Sequence, residues 1–380
     1  MSNTLLILVS HVSFFISHRL ELAITAKNMG YKVKVAFGEL DADTKFLNDI
    51  EIESIHVPIQ RGGTNIIKDI RSMYSLWNLF RKVRPEIVHL VTIKPYLYGG
   101  IMARLSNVPC VVSAVSGLGS LFIHKNFINR FLSLLIRPIY KLAFNHFNQI
   151  AIFQNQEDAK VLMKWGVLKS KKVRLIRGSG VKIEEFTELK ELDQTPVVCF
   201  AARLINDKGV HDFVSAARLL SKRGVKAKFY LAGDLDIKNP SGLNTQELEK
   251  LKEDKNIEVL GHQKNIANLY AKSNIVCLPS YREGLPKALM EAAAASRAVV
   301  TTDVPGCRDA IIPNKTGLLS PVKNPEKLAD AIQWLIEHPK ERVAMGRAGR
   351  QLAETEFQIE KIIKKHLDIY KELISNKITK

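Results

Sequence analysis

The chain predicts an α/β protein of two doubly wound domains, each a parallel sheet with helices on its faces. Three observations carry that prediction. Short apolar runs of strand length alternate with stretches of helical periodicity, which is the pattern of a parallel sheet covered by helices. The alternation stops in the charged stretch Glu184–Pro196 and then restarts. The length of 380 residues, 46% of them hydrophobic, suffices for two ordinary domains with a core each.

In chain order, Leu5–Val9 is the first apolar run, without a basic lead-in or cleavage site, and reads as a buried strand rather than a leader. A helix near Ser17–Met29 and a strand at Lys32–Phe37 follow, then strands at Ile87–Val91 and Cys110–Ala114. After Pro196 come a strand at Val197–Ala201, a helix near Val210–Ser221, and strands at Lys226–Ala232, Glu258–Leu260, Ile275–Leu278 and Ala298–Thr301. The expected division is a first domain over 1–190, a second over 191–356, and a terminal helical segment over 357–380. No run reaches 18 apolar residues, so no membrane span is expected and the chain should remain in the cytoplasm. Cys110, Cys199, Cys277 and Cys307 are far apart and form no C-x-x-C, which predicts reduced thiols and no zinc site.

The formal charge is +18. Residues 1–190 carry 26 basic against 14 acidic side chains, and no acid stands between Glu86 and Glu157. The first domain should therefore be drawn to anions. Within it, Asn126, Asn129, Arg130, Ser133, Arg137 and Lys141 recur at helical spacing opposite a crowd of Phe, Ile and Leu. That is a cationic amphipathic helix within about 121–147, in which Lys125, Arg130, Arg137 and Lys141 would meet an anionic membrane surface; the alternative is a core helix with a basic solvent face. A nucleic-acid partner is not expected, because at 7% aromatic content no stacking platform is interleaved with arginine.

The most informative stretch is Ser280-Tyr-Arg-Glu-Gly-Leu-Pro-Lys-Ala-Leu-Met-Glu291. Pro286 suits a first helical turn and Gly284 a tight bend before it, so free N–H groups from Gly284 and Leu285 onward would offer an anion site for a diphosphate. Glu283 and Glu291 are acceptor-only groups suited to hydroxyls of a sugar and a ribose. Taken alone, two glutamates at this spacing are a helix-start acid and a solvated helix residue. Arg203 and Lys208, after the strand Val197–Ala201, would neutralise charge growing on a leaving diphosphate. No Asp-x-Asp stands where a metal-bound diphosphate needs it; Asp41-Ala-Asp43 reads as a solvated loop. No metal or other cofactor is expected.

Gly261-His-Gln, Leu278-Pro-Ser-Tyr-Arg-Glu-Gly-Leu-Pro, Thr302-Asp-Val-Pro-Gly306 and Gly317-Leu-Leu, with Ala201-Ala-Arg-Leu-Ile-Asn-Asp-Lys-Gly209 upstream, resemble the donor half of glycosyltransferase family 4 over most of residues 195–355. The resemblance implies a GT-B fold, two Rossmann-like domains facing a central cleft, with a nucleotide sugar on the C-terminal one. It implies catalytic roles for Glu283, Arg203 and Lys208, nucleobase contacts from Gly261, His262 and Gln263, and transfer with retention of anomeric configuration. The family often has a second glycine beside Gly233, absent here.

Toward the N-terminus, His11-Val-Ser-Phe-Phe, Lys94-Pro and Ser116-Gly-Leu-Gly119 resemble a bacterial subgroup that adds hexosamines to undecaprenyl-diphosphate-linked sugars. This implies acceptor contacts from Ser13, Phe14, Ser116, Gly117 and Gly119, the last three of which read equally as simple tight turns. His89, Thr92 and Lys94 end the strand Ile87–Val91 toward the same cleft, where Lys94 would bind an acceptor phosphate or else stand as a solvated loop lysine. The family's catalytic-site histidine has no counterpart in Ser113–Gly119. The expected activity is transfer of a hexose or N-acetylhexosamine from a UDP-linked donor to a lipid-linked saccharide at the inner face of the cell membrane. A nucleotide-sugar 2-epimerase of similar fold and a basic nucleic-acid-binding protein are the alternatives.

Overall fold

The computed structural model describes residues 3–60, 65–118, 136–187, 191, 194–237 and 239–378. The chain forms two compact units. Unit 1 comprises Met1–Ser179 with Glu360–Lys380, and unit 2 comprises Gly180–Ile359.

Unit 1 is built on seven strands: β1 (Thr4–His11), β2 (Lys32–Glu39), β3 (Glu53–His56), β4 (Ile87–Val91), β5 (Cys110–Val115), β6 (Gln149–Phe153) and β7 (Val173–Leu175). They pair in the order β3-β2-β1-β4-β5-β6-β7, every pair parallel. All residues of β4, β5 and β6 are buried, as a sheet covered on both faces requires. Because β1 pairs with both β2 and β4, the strand order reverses between β1 and β4, and open α/β sheets bind ligands at the carboxyl end of such a reversal.

The helix expected near Ser17–Met29 is two, Val12–His18 and Leu20–Asn28. They break at Arg19, whose backbone leaves helical values (φ −135°, ψ −9°) and whose side chain is buried. The final helix, Ile359–Ile378, belongs to unit 1. Ile362, Ile363, Leu367, Tyr370 and Leu373 bury one face of it, the Leu373 carbonyl accepts from Asn148 Nδ2 at 2.9 Å, and Glu372 pairs with Arg174 at 2.6 Å.

Unit 2 has six strands: β8 (Val197–Ala201), β9 (Lys228–Ala232), β10 (Glu258–Gly261), β11 (Ile275–Leu278), β12 (Ala298–Thr302) and β13 (Gly317–Ser320). Their order is β10-β9-β8-β11-β12-β13, again all parallel, with the reversal between β8 and β11. The units divide between Ser179 and Gly180, upstream of the boundary near 190 that the acidic stretch suggests. That stretch is fastened to unit 2 instead of spanning free. Ile183 and Phe186 are buried in its core, Arg350 donates to the Phe186 carbonyl at 2.6 Å, and Glu191 accepts from Arg342 at 2.7 Å and from Asn274 at 2.8 Å.

The four cysteines are free and buried. No helix among the described residues is long and apolar enough to cross a membrane.

Candidate active site

The reversal point of unit 2 gathers the loops that follow β8 and β11. After β8 the chain makes a single 3-10 turn, Asn206–Lys208, and leaves it through Gly209 at φ 74°. A Cβ on Gly209 would stand 2.1 Å from the Pro279 carbonyl oxygen, so only glycine lets the two loops touch. Tyr281 N donates to the Asp207 carbonyl at 2.8 Å, which closes the contact.

Lys208 Nζ then meets the Glu283 carboxylate in an ion pair whose side chains are only 18% and 11% exposed. Ser280 Oγ lies 2.7 Å from the same carboxylate oxygen, Glu283 Oε1, and 3.0 Å from the Asp207 carbonyl, so it holds Glu283 beside Lys208. Thr302 hydroxyl bonds the Ser280 carbonyl, bringing the end of β12 into the cluster.

Glu283 and Gly284 turn the chain toward the helix Lys287–Ala294. Pro286 stands one place earlier than the sequence suggests: it is the N-cap, with extended backbone (φ −71°, ψ 125°), and Lys287 is the first helical residue. A proline before a helix favours that extended geometry only for its predecessor, but its own fixed φ serves a cap equally well. No side chain caps this helix, and although Leu289 N donates to the Pro286 carbonyl at 3.1 Å, the N–H groups of Lys287 and Ala288 keep the capacity to bind an anion. Leu285 is buried beneath the turn. Glu291 pairs with Lys287 at 3.3 Å, and burial pushes its carboxyl up in pKa while Lys287 pulls it back.

Arg203 pairs with Asp236, on the loop after β9, and remains about half exposed. At the neighbouring edge, Gly261 O accepts from Gly233 N at 2.9 Å, Gln263 Nε2 donates to the Leu260 carbonyl at 2.9 Å, and exposed His262 lies 3.4 Å from the Asp234 carboxylate. The lone Gly233 is tightly used, since a Cβ there would stand 1.9 Å from the Ala202 carbonyl oxygen. Arg203, Lys208, Glu283 and the Gly261–Gln263 turn thus all stand at the carboxyl ends of β8, β9, β10 and β11. Each cation already holds a carboxylate, so the site is oriented before any ligand arrives, and a diphosphate would compete for the cations.

In unit 1 the corresponding reversal lies between the ends of β1 and β4. Ser13 donates from N to Asp41 Oδ1 at 2.9 Å and from its hydroxyl to Asp41 Oδ2. Asp41 is therefore a bonded partner of the helix Val12–His18 that follows β1 and not a merely solvated residue. Burial raises its pKa, and the two hydrogen bonds from Ser13, with the nearby His11 and its own backbone N–H, together outweigh that and hold it below the usual carboxylate range. Phe14 stacks on His18 with centroids 4.2 Å apart.

Two expected acceptor contacts are otherwise occupied. His89 is fully buried in the middle of β4, where its Nδ1 shares a 2.5 Å hydrogen bond with Tyr370 hydroxyl, so it faces the terminal helix instead of the strand end. Lys94 pairs with Asp69 at 2.7 Å, and both are largely buried, so it supports the helix Ile66–Val83. Ser116 and Gly117 follow β5, half-buried; Gly119 lies outside the described residues. Of the basic helix, Lys125 and Arg130 also lie outside them. Arg137 is half-buried over the Trp165 ring at 5.2 Å, whereas Lys141 is exposed.

Sequence reasoning missed Ser280 and Asp236. Thr92 begins the helix Ile93–Leu105 at φ 76°, a value a β-branched residue rarely adopts, and its buried hydroxyl has no partner. Among the described residues no group of three or more His, Cys, Asp or Glu is placed to hold a metal.

Comparison with known families settles the class. The family described as glycosyl transferases group 1 matches residues 181–352, and that described as glycosyl transferase 4-like matches residues 4–155. The chain is a group 1 glycosyltransferase. The glycosyltransferase is 29% identical over 349 residues to the Campylobacter jejuni N,N'-diacetylbacillosaminyl-diphospho-undecaprenol alpha-1,3-N-acetylgalactosaminyltransferase, covering 88% of this chain and 90% of the relative. It is 26% identical over 348 residues to the Escherichia coli UDP-Gal:alpha-D-GlcNAc-diphosphoundecaprenol alpha-1,3-galactosyltransferase, covering 88% and 87%. Its fold matches sucrose-phosphate synthase from Thermosynechococcus elongatus with a TM-score of 0.80 at 18% identity, over 98% of this chain and 100% of that one. The glycosyltransferase has the GT-B fold.

Proposed function

We propose that this glycosyltransferase moves a hexose or N-acetylhexosamine from a UDP-linked donor to a polyprenyl-diphosphate-linked saccharide, during assembly of a bacterial envelope glycan. The observation that carries the donor side is the Lys208–Glu283–Ser280 cluster at the strand reversal of unit 2. The acceptor class is supported by the two relatives, whose names specify diphospho-undecaprenol-linked sugars.

The donor diphosphate would take Lys208, Arg203 and the open first-turn N–H groups of the helix Lys287–Ala294 as its donors. Releasing Lys208 to the diphosphate frees Glu283 to accept hydrogen bonds from the sugar hydroxyls while Ser280 keeps it in place. Gly261, His262 and Gln263 would border the nucleobase, and Glu291 the ribose. The C1–O bond to the diphosphate breaks as the acceptor hydroxyl oxygen bonds C1 on the same face and passes its proton to the departing diphosphate oxygen, and the negative charge left on the nucleotide rests on Lys208 and Arg203. These cations make the donor site metal-independent. On the acceptor side, Ser13, Phe14, Ser116 and Gly117 border the strand ends of unit 1. The basic segment around Lys141 would hold the enzyme to anionic lipid at the inner membrane face.

The test is nucleoside-diphosphate release from a panel of UDP-, GDP- and ADP-sugars, with and without a polyprenyl-diphosphate-linked saccharide, for the intact chain and Glu283→Gln. Lipid-dependent release from a UDP-sugar, reduced about 100-fold or more in the variant, is expected for loss of a site-forming charge. Release that ignores the lipid acceptor, or that survives Glu283→Gln unchanged, would contradict the assignment.

A further inference from the structure

The helix Ile66–Val83 carries a second feature that donor chemistry leaves unused. Its inner side is ordinary, with Leu76, Leu79 and Phe80 buried in the core of unit 1. Its outer side is not. Ile66 is 74% exposed, Ile67 79%, Ile70 61% and Tyr74 62%. At ~100° per residue these four fall within one sector of about 100°, turned away from the buried side. Monomeric proteins seldom leave so many large apolar side chains together in water.

We propose that this face is a bilayer-docking surface that seats unit 1 on anionic lipid. The charge on the same helix selects that occupant. Arg71 borders the apolar sector, Lys68 follows further round on the same side, and both are exposed, while the helix's single acid, Asp69, is withdrawn into its ion pair with Lys94. Tyr74 and Trp77 form an aromatic pair at 6.0 Å, and Arg81 lies over Trp77 at 4.7 Å, so amphipathic rings and a cation continue the sector. Apolar side chains, interfacial aromatics and flanking cations together fit the boundary between acyl chains and anionic headgroups. A second copy of the chain fits poorly, because pairing this face with itself would bring like charges together.

The Asp69–Lys94 pair at 2.7 Å also fixes where the face lies. Lys94 stands just beyond β4, so the docking helix begins beside the strand reversal of unit 1. An acceptor held by its lipid would enter that reversal from the surface on which the helix rests. The inference deepens the proposed function by assigning a membrane face independent of the basic segment around Lys141.

The test is sedimentation of the full chain with vesicles of phosphatidylcholine alone or mixed with phosphatidylglycerol. Wild type should partition onto the mixed vesicles. Ile66→Asn/Ile67→Asn/Ile70→Asn should reduce that partition at least about tenfold with an unchanged melting temperature, since tenfold corresponds to only about 1.4 kcal/mol. Lys68→Glu/Arg71→Glu should weaken binding to the mixed vesicles and spare the melting temperature as well. Nucleoside-diphosphate release with detergent-dispersed acceptor should be the same in all three proteins. Unchanged vesicle partition in the triple variant overturns the docking surface. So does a lipid-free dimer of the wild type that the triple variant abolishes, since the face would then meet a second copy. Absence of turnover with every donor would overturn the proposed reaction and leave the vesicle result readable.

Discussion

Gly306 shows how much of the donor site hangs on single positions. It turns at φ 80°, and a Cβ added there would lie 2.5 Å from the carbonyl oxygens of both Glu283 and Gly284. Gly306→Ala should therefore push the Glu283 turn off Lys208 and cost about 2 to 4 kcal/mol from the strained backbone and the overlap together. A drop in donor affinity by calorimetric titration, larger than that of Lys287→Ala, is the expected result. Equal donor affinity in Gly306→Ala and wild type would mean the turn adapts freely. Glu283 and Lys208 were legible in the sequence because each sits in a patterned loop after an apolar strand. Ser280 and Asp236 were not, because what matters about them is which loop they touch, and spacing along one segment says nothing of the loop beside it. His89 and Lys94 fail for a related reason. A residue at or near a strand end can serve either face of the sheet, and only the terminal helix and the helix Ile66–Val83 decide which.

At the scale of elements, the terminal helix Ile359–Ile378 closes a buried basic cluster. His89 and His366 rings lie 5.3 Å apart beside Arg19 and Tyr370. Burial holds both histidines well below their usual pKa, with the Arg19 charge adding to the effect, and His366 depressing His89 further. Burial also brings the Arg19 guanidinium down to about 10. His89 Nε2, His366 Nδ1 and Arg19 Nε have no hydrogen-bond partner. The folded chain thus keeps both imidazoles neutral where the unfolded chain would protonate them below about pH 6.5. The unfolded state binds more protons, so stability is full above that pH and is lost as pH falls toward the depressed folded values. Each histidine contributes up to about 1.4 kcal/mol per pH unit. Urea unfolding between pH 7.5 and 5 should show a steep loss that His366→Gln flattens; matching pH profiles would remove the histidines from the account. Central strands such as β1, β4, β8 and β11 were readable as apolar runs, whereas buried β6 was not singled out, and the edge strands β3, mostly exposed, and β7, mostly half-buried, carry no such run and give no signal. The split at Arg19 was equally hidden, because helical periodicity runs through it and only a buried guanidinium marks the break.

For the whole molecule, the division between units follows contacts that cross long stretches of sequence. Acid-rich composition near Glu184–Pro196 resembles a linker, yet the Arg342–Glu191 pair and buried Phe186 hold it against unit 2. A chain ended after Ile359 should lose stability in unit 1 while unit 2 still unfolds at its usual denaturant concentration, because Leu367, Tyr370 and Leu373 cover residues of unit 1. Two-transition unfolding followed by hydrogen exchange reads this; equal protection of β4 in both chains would exclude it. Val181 and Gln358 pair where the chain enters and leaves unit 2, with Ile359 N donating to the Val181 carbonyl at 3.1 Å. Unit 2 is thus inserted within unit 1, and that order has a cost during synthesis. The first strands to leave the ribosome must wait for the last helix. At ~5 to 20 residues per second, making unit 2 takes roughly 10 to 40 s. For that interval the surface of unit 1 destined for the terminal helix lies open on the nascent chain, which makes early chaperone capture of this half a natural companion of its fold.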